Sequence, residues 1–262
     1  MFEYDFMQRA FLAGIFIAVL ASVSGTFVVL KRYSLISETL AHSALVGVAV
    51  GLVAGYNPLW MAVIVSLLSA WLIEYLRVSF SLYSDSILSI LLSGTLAVSI
   101  IIVSVGGAFN NSLFSYLFGS ILSVSEDDLV TIFVFGGIAL AVLLVFSREL
   151  YFIAYDEEVA KTSGIKVKFL SFLLVSVVAI IIALSIRVVG TLLIGALMVI
   201  PTVSALQYRV GFLPTVLISL FFALFSVVVG MTLSFYFSLP SGATIVLCVI
   251  FLFIFSLVAN KR

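Results

Sequence analysis

The only histidine of the chain, His42, follows a carboxylate, Glu38, by four residues. Because residues spaced i, i+4 share one face of a helix, the two side chains can act together. A carboxylate and an imidazole suit a borderline divalent metal such as Zn²⁺ or Mn²⁺. Both lie in an apolar stretch, where a charged side chain costs about 2.5–3.5 kcal/mol on insertion scales. The pair therefore indicates a cation path, and the alternative is a hydrogen bond that only ties two helices together.

Two residues do not complete a metal site, and further candidates lie around Pro201. Proline has no amide hydrogen, so the carbonyl of Leu197 loses its usual helix partner. A broken helix within a membrane is tolerated mainly where it lines a cavity. We therefore predict a helix break at Pro201, with Met198, Thr202 and Ser204 close to it. Met198 and Thr202 are the further candidate metal ligands.

The elements that must position these residues are membrane spans. The 262 residues are 64% hydrophobic and only 9% charged, against about 25% charged in an ordinary soluble domain. The net charge of +0 supports no nucleic-acid partner. No polar stretch is long enough to fold alone, which indicates one transmembrane domain over residues 1–262. The chain has no GxxxxGK[ST] loop for nucleotide phosphates, so any energised work depends on a gradient or on another chain.

Apolar runs of the length that crosses a bilayer, about 17–25 residues, predict the fold class: an all-α, polytopic transmembrane helical bundle. We count about nine spans, with eight or ten as alternatives. They cover residues 10–30, 38–55, 59–76, 86–107, 129–147, 169–186, 188–208, 213–237 and 240–259. The segment 110–124 decides between these counts, because its apolar part is short for a span and typical of an interfacial or re-entrant segment.

Lysines and arginines follow the odd-numbered runs, at positions such as 31–32, 77, 148, 209 and 261–262. Basic loops stay in the cytoplasm. This pattern predicts an N-terminus outside and a C-terminus in the cytoplasm. Arg9 and Arg187 run against the rule, and we expect both to snorkel at the outer interface.

The loop over residues 148–168 is the longest polar stretch and is predicted to be cytoplasmic. Asp156 and Glu157 favour the start of a short helix, Ala160 lies inside it, and Gly164 closes it at the C-cap. Such a helix can lie along the inner face and present a surface to a cytoplasmic partner. The alternative is a plain solvated linker.

Several segments together resemble a known family. They are residues 38–49, 116–125 with Asp128 and Leu129, 160–164, 188–201 and 239–242. In this order they resemble the membrane permease subunit of bacterial ABC importers for zinc and manganese, over essentially the whole chain. The loop is also similar to the corresponding segment of vitamin B12 and iron-siderophore permeases.

The resemblance implies a type II ABC importer-like permease that forms a homodimer in a bacterial or archaeal cell membrane. Two copies of a cytoplasmic ABC ATPase would dock on the inner loops, with residues 156–164 as the coupling helix. ATP hydrolysis would belong to that partner, so the chain itself is not expected to be an enzyme. An extracellular or periplasmic binding protein would deliver the metal, which is cargo and not a permanently bound cofactor. Glu38 and His42 fall on the family's acidic residue and histidine.

Two departures from the family pattern bear on the substrate. Many relatives carry Asp at the Glu38 position, and relatives of the zinc branch often have an acidic residue where this chain has Ser120. Residues 41–47 look more like zinc permeases, so Zn²⁺ is expected before Mn²⁺. The alternatives are a gradient-driven metal carrier or channel, and an ABC importer of a chelated metal. An intramembrane metalloenzyme would need HExxH or several histidines.

Overall fold

The computed structural model describes residues 4–80, 84–106, 111–120 and 124–259. Within these ranges the chain forms twelve helices and no strand, which confirms the all-α prediction. The helices are α1 (Asp5–Leu30), α2 (Leu35–Ala54), α3 (Pro58–Phe80), α4 (Ser84–Val105), α5 (Asn111–Phe118), α6 (Glu126–Val145), α7 (Ser147–Tyr155), α8 (Glu157–Thr162), α9 (Val167–Val189), α10 (Ile194–Leu206), α11 (Phe212–Phe237) and α12 (Ser241–Ala259).

Contacts between distant residues define the two ends of this bundle. At the upper end, where α1, α6 and α12 begin, Arg9 pairs with Glu126 at 3.0 Å and the Ser241 hydroxyl donates to the Val188 carbonyl. At the lower end, where α1 finishes, the Phe27 and Phe212 rings lie 5.5 Å apart at the start of α11. Both ends are thus fixed by side chains that are far apart in sequence.

Eight of the described helices are long and apolar enough to cross a membrane: α1 to α4, α6, α9, α11 and α12. The predicted seventh run, 188–208, does not form one long helix. Its main helix is α10, which has only 13 residues. At 1.5 Å per residue α10 is about 20 Å long, shorter than the roughly 30 Å hydrocarbon core. It still leads from the upper end of α9 to the lower start of α11. The described helices therefore make nine passes, one of them with a short helix.

The segment 110–124 is described for residues 111–120 and 124, and the rest lies outside the described residues. Its helix α5 has only eight residues, about 12 Å of rise. It lies between α4, which ends at the upper end, and α6, which begins there. It therefore adds no pass, in agreement with an interfacial or re-entrant segment.

The predicted short helix in the loop 148–168 is present as α8. The Asp156 carboxylate accepts hydrogen bonds from the amides of Glu158 and Val159, each at 3.0 Å, and so caps the helix. Gly164 has a φ of 82°, the left-handed conformation that ends helices and that glycine adopts without strain. Ala160 is fully buried and anchors α8 to the bundle.

Candidate metal-transport site

The first turn of α2 opens on a cavity between α2 and α10. The cavity has a volume of about 380 Å³, and Glu38 is the acidic residue in its wall. Glu38 is exposed there. The wall extends from the α1–α2 turn to the start of α10 and consists of Ser34, Leu35, Ser37, Glu38, Thr191, Leu192, Gly195, Ala196, Val199 and Ile200.

His42 lies one helical turn further along α2 and is only 5% exposed. Its Nδ1 atom is buried and meets no hydrogen-bond partner among the described residues. An unpaired buried polar atom costs about 1–3 kcal/mol. A ring nitrogen of neutral imidazole is a common metal ligand, so this atom is available for coordination. A histidine that only tied two helices together by hydrogen bonds would not leave this nitrogen unpaired.

Neighbouring hydroxyls and glycines place this part of α2. The Thr39 hydroxyl lies 3.2 Å from the Leu88 carbonyl of α4. A Cβ atom at Gly47 would approach the Met61 carbonyl oxygen of α3 to 2.3 Å. A Cβ atom at Gly195 would lie 3.3 Å from the Ser37 hydroxyl. Small residues therefore allow α3 and α10 to pack closely on both sides of the Glu38–His42 pair.

The structure places Met198 and Thr202 on another face of α10. Both are fully buried. Thr202 lies 3.1 Å from the Ser219 hydroxyl of α11, and the Met198 carbonyl abuts Gly25 of α1. These two candidates are therefore not brought to the cavity that Glu38 opens on. Among the described residues, no group of three or more His, Cys, Asp or Glu side chains could hold a metal ion.

The expected break at Pro201 is corrected by the structure. Pro201 lies inside α10, which continues to Leu206. The interruption lies earlier, at residues 190–193, between α9 and α10, where Gly190 has a φ of 88°. Proline removes one hydrogen bond, but the left-handed glycine reverses the backbone direction, and that ends the helix.

The interrupted backbone finds its hydrogen bonds on α5. The Thr191 amide donates to the Tyr116 carbonyl at 2.9 Å, and the Leu192 amide donates to the Leu117 carbonyl at 3.2 Å. In return the Ser120 amide donates to the Arg187 carbonyl. Backbone groups at membrane depth must be satisfied within the protein. The short α5 therefore supports the start of α10, which forms one wall of the cavity.

Sequence reasoning missed the ion pairs at both ends. At the upper end Arg187 pairs with Asp128 and Arg9 with Glu126, where snorkelling was expected. At the lower end Arg77 contacts the fully buried Glu74 at 2.5 Å. The available signals were the basic residues that break the positive-inside rule and the acidic cluster at 126–128.

Lower-end groups outside the spans also have shifted pKa values. Burial lowers the pKa of Lys31 to about 8. Burial, followed by the charge of Glu74, raises the pKa of Tyr33 to about 12. Lys31 keeps a hydrogen bond of 2.5 Å to the Ser171 hydroxyl of α9. The α1–α2 turn that leads to Glu38 is therefore partly buried among charged groups.

The nine helical passes and the capped helical loop define the class: an all-helical, polytopic membrane protein. The family model described as the ABC 3 transport family matches residues 3–260. The chain therefore belongs to this family of ABC transporter membrane permeases, which confirms the resemblance read from the sequence.

Three relatives show the range of metals in this family. The chain is 35% identical over 253 residues to a probable metal transport system membrane protein of Treponema pallidum, covering 96% of this chain and 95% of that protein. It is 31% identical to the high-affinity zinc uptake system membrane protein ZnuB of Haemophilus influenzae, covering 99% of both. It is 30% identical to the manganese import system permease ScaB of Streptococcus gordonii, covering 99% of this chain and 94% of ScaB.

A solved structure shows the same fold. PsaBC from Streptococcus pneumoniae, in complex with Fab, superposes with a TM-score of 0.85 at 29% identity, covering 97% of this chain and 91% of that chain. The match confirms the ABC importer permease architecture. The chain is thus the transport subunit of such a system, and the ATPase is a separate chain.

Proposed function

We propose that the chain imports Zn²⁺, and Mn²⁺ as the second choice, through a path that contains Glu38 and His42. The observation that carries the proposal is the buried, unpaired Nδ1 atom of His42, one turn beyond an exposed carboxylate in a cavity wall. Residues 41–47, which look more like zinc permeases, favour zinc. Relatives named for zinc and for manganese make manganese the competing cargo.

The ligand set of the proposal is Glu38 and His42, with water or a second protomer supplying the remaining positions. Met198 and Thr202 are not included among the proposed ligands, because they pack against α1 and α11 and do not line the cavity of Glu38. The metal would lose part of its hydration shell to the Glu38 carboxylate and then to the His42 imidazole. Met198 and Thr202 would instead stabilise the packing of α10.

The proposed transport cycle is alternating access within a homodimer. An extracellular or periplasmic binding protein would deliver the metal to the upper end, which we place outside. A cytoplasmic ATPase dimer would dock at the lower end on α8, with Asp156, Glu157, Ala160 and Gly164 shaping the coupling helix. The N-terminus would lie outside and the C-terminus in the cytoplasm of a bacterial inner membrane. Family membership supports the ATPase and the binding protein as partners.

The test is uptake of ⁶⁵Zn²⁺ and ⁵⁴Mn²⁺ by cells that make this chain with its ATPase and binding protein. His42→Ala is compared with Ser43→Ala at matched membrane expression. Ser43 is the next residue on α2 and is fully buried, and its hydroxyl donates a hydrogen bond to the Thr39 carbonyl. We expect zinc uptake to be lost in His42→Ala and kept in Ser43→Ala. Equal uptake in the two variants would remove His42 from the path.

The same assay separates the rival functions. Uptake that depends on the ATPase and stops with vanadate supports the importer. Uptake that persists without the ATPase, and follows an ion gradient, would indicate a carrier or channel. Uptake of manganese alone would keep the function and change the cargo. Uptake only of a metal bound to a chelator would indicate an importer of a chelated metal.

A further inference from the structure

A cluster of charges joins the coupling helix α8 to the turn that precedes Glu38. Arg77, near the end of α3, lies 3.0 Å from a carboxylate oxygen of Glu157, the first residue of α8. The same guanidinium contacts Glu74 and lies 5.6 Å from the centre of the Tyr33 ring. Tyr33 lies in the α1–α2 turn and is 5% exposed. Three parts of the chain therefore meet at one arginine.

Tyr33 in turn holds the start of α2. Its carbonyl accepts a hydrogen bond from the Ile36 amide at 2.9 Å, and its amide donates to the Val28 carbonyl of α1. The Lys31 ammonium lies 5.3 Å from the centre of the same ring and donates a hydrogen bond to the Ser171 hydroxyl. Both cations are attracted to the electron-rich face of the Tyr33 ring. These contacts fix the position of the α1–α2 turn. Glu38 lies five residues after Tyr33, so the turn also positions Glu38.

Glu157 lines two cavities that flank α8. Glu157 lines a cavity of about 380 Å³ with the α1–α2 turn and α7. It also lines a cavity of about 700 Å³ with Arg77 and the start of α9. Glu157 is thus common to the walls of both cavities. A displacement of α8 therefore acts on the bundle at the Arg77–Glu157 pair and at the buried Ala160.

We propose that Glu157, Arg77 and Tyr33 form a link that transmits movement of α8 to the first turn of α2. Arg77 and Glu157 are then positioning residues for Glu38, and the link sets how much metal moves for each ATP hydrolysed. The inference rests on the proposed function, because it assumes that an ATPase moves α8. It adds the side chains through which that movement reaches the metal path.

The decisive variant is Glu157→Gln, with Glu158→Gln as the matched control. Both neutralise one carboxylate on α8, but Glu158 is exposed and Glu157 contacts Arg77. Arg77→Gln is a poorer test, because it leaves the fully buried Glu74 without its cation. Glu157→Gln leaves the Arg77–Glu74 pair in place, so the bundle should fold. Because Glu157 lies on the proposed docking helix, ATPase binding of each variant is measured by co-purification.

The complex with its ATPase and binding protein is reconstituted in proteoliposomes, and ⁶⁵Zn²⁺ or ⁵⁴Mn²⁺ uptake is measured together with ATP hydrolysis. In complexes that retain the ATPase, we expect Glu157→Gln to lower the metal moved per ATP hydrolysed by about fivefold or more, the lower range of coupling effects. Glu158→Gln should match wild type. Equal ratios in both variants would overturn the link, and loss of ATPase binding in Glu157→Gln would replace it with a docking role.

A second readout does not depend on transport. Leu35, 39% exposed in the cavity wall, is replaced by Cys in a Cys248→Ser background, and its maleimide labelling rate is compared with and without ATP and vanadate. The link predicts an ATP-dependent rate that disappears with Glu157→Gln. A difference that persists in Glu157→Gln would overturn the link alone. Failure of the wild-type complex to take up either metal would overturn the proposed function instead.

Discussion

The Asp128 carboxylate at the start of α6 forms an ion pair with the Arg187 guanidinium of α9. Arg187 also donates to the Tyr116 hydroxyl of α5 at 3.1 Å. Asp128 accepts from the Ser125 amide at 3.0 Å and so completes the capping box of α6. The Asp128–Arg187 pair therefore ties α6 to α9, and Arg187 ties both to α5. Arg187 lies three residues before Gly190, which separates α9 from α10.

Asp128→Asn should destabilise the upper end. Asp128 is 7% exposed and the Arg187 side chain is 24% exposed, so the variant leaves a half-buried cation without its counter-charge. Breaking a buried pair costs about 3–5 kcal/mol, and partial exposure reduces this to about 2–3 kcal/mol. The thermal midpoint of the purified protein should fall, whereas Asp127→Asn at the exposed neighbour should change it little. Similar midpoints for both variants would contradict the structural role of the pair.

Gly190→Ala should disrupt the interruption between α9 and α10. Besides its positive φ, a Cβ atom would lie 2.5 Å from backbone atoms of residues 117–119. Left-handed strain and overpacking each cost about 1–3 kcal/mol, so about 3 kcal/mol in total is expected. Membrane expression and thermal stability measure the loss. Gly137→Ala is the control, because a Cβ atom there meets nothing within 4 Å. Wild-type stability in Gly190→Ala would contradict the assigned backbone.

Glu38 should be required for its charge. Glu38→Gln keeps the size of the side chain but removes the anionic ligand, and we expect metal uptake to fall by about tenfold or more. Glu38→Asp should keep uptake and change the ratio of zinc to manganese transported, because the carboxylate moves back by one methylene. Competition uptake with both isotopes measures the ratio. Normal zinc uptake in Glu38→Gln would remove Glu38 from the ligand set.

Metal uptake should decrease as the pH falls. Both ligands bind metal only when deprotonated. Protonation of a ligand removes it from the metal path, so uptake should be lower at pH 5.5 than at pH 7.5. Basal ATP hydrolysis of the same complex is measured at both pH values to account for effects on the partner. A rate that stays flat down to below pH 6 would contradict the assignment of His42.

Lys31 should titrate far below an exposed lysine. Burial disfavours its charged form and lowers its pKa from 10.5 to about 8. The unfolded chain then binds more protons than the folded one between these values, so folding stability from this group rises with pH across that window. Reductive ¹³C-methylation followed by NMR titration should show one lysine signal with a midpoint near pH 8, besides any signal of the N-terminal amine, which titrates in the same range. Lys31→Arg should remove that signal. A midpoint close to that of the other lysines would contradict the buried position.

Several local features were predictable from the sequence because their causes are local. Apolar runs specify helices in a membrane, since a helix satisfies its own backbone hydrogen bonds. Asp156 and Gly164 mark the two ends of α8 because capping depends on residues a few positions apart. The spacing of Glu38 and His42 puts both on one face of α2 whatever the helix packs against.

The tertiary structure decided which helices meet, and therefore what each polar side chain contacts. Apolar residues cover both the lipid-facing and the buried sides of these helices, so periodicity does not identify a helix's neighbours. For this reason the sequence suggested Met198 and Thr202 as ligands, whereas packing turned them toward α1 and α11. It also suggested Pro201 as the break, whereas hydrogen bonds from α5 stabilise an interruption at Gly190. The Arg77 cluster joins residues more than 120 positions apart in sequence, and only packing brings them together.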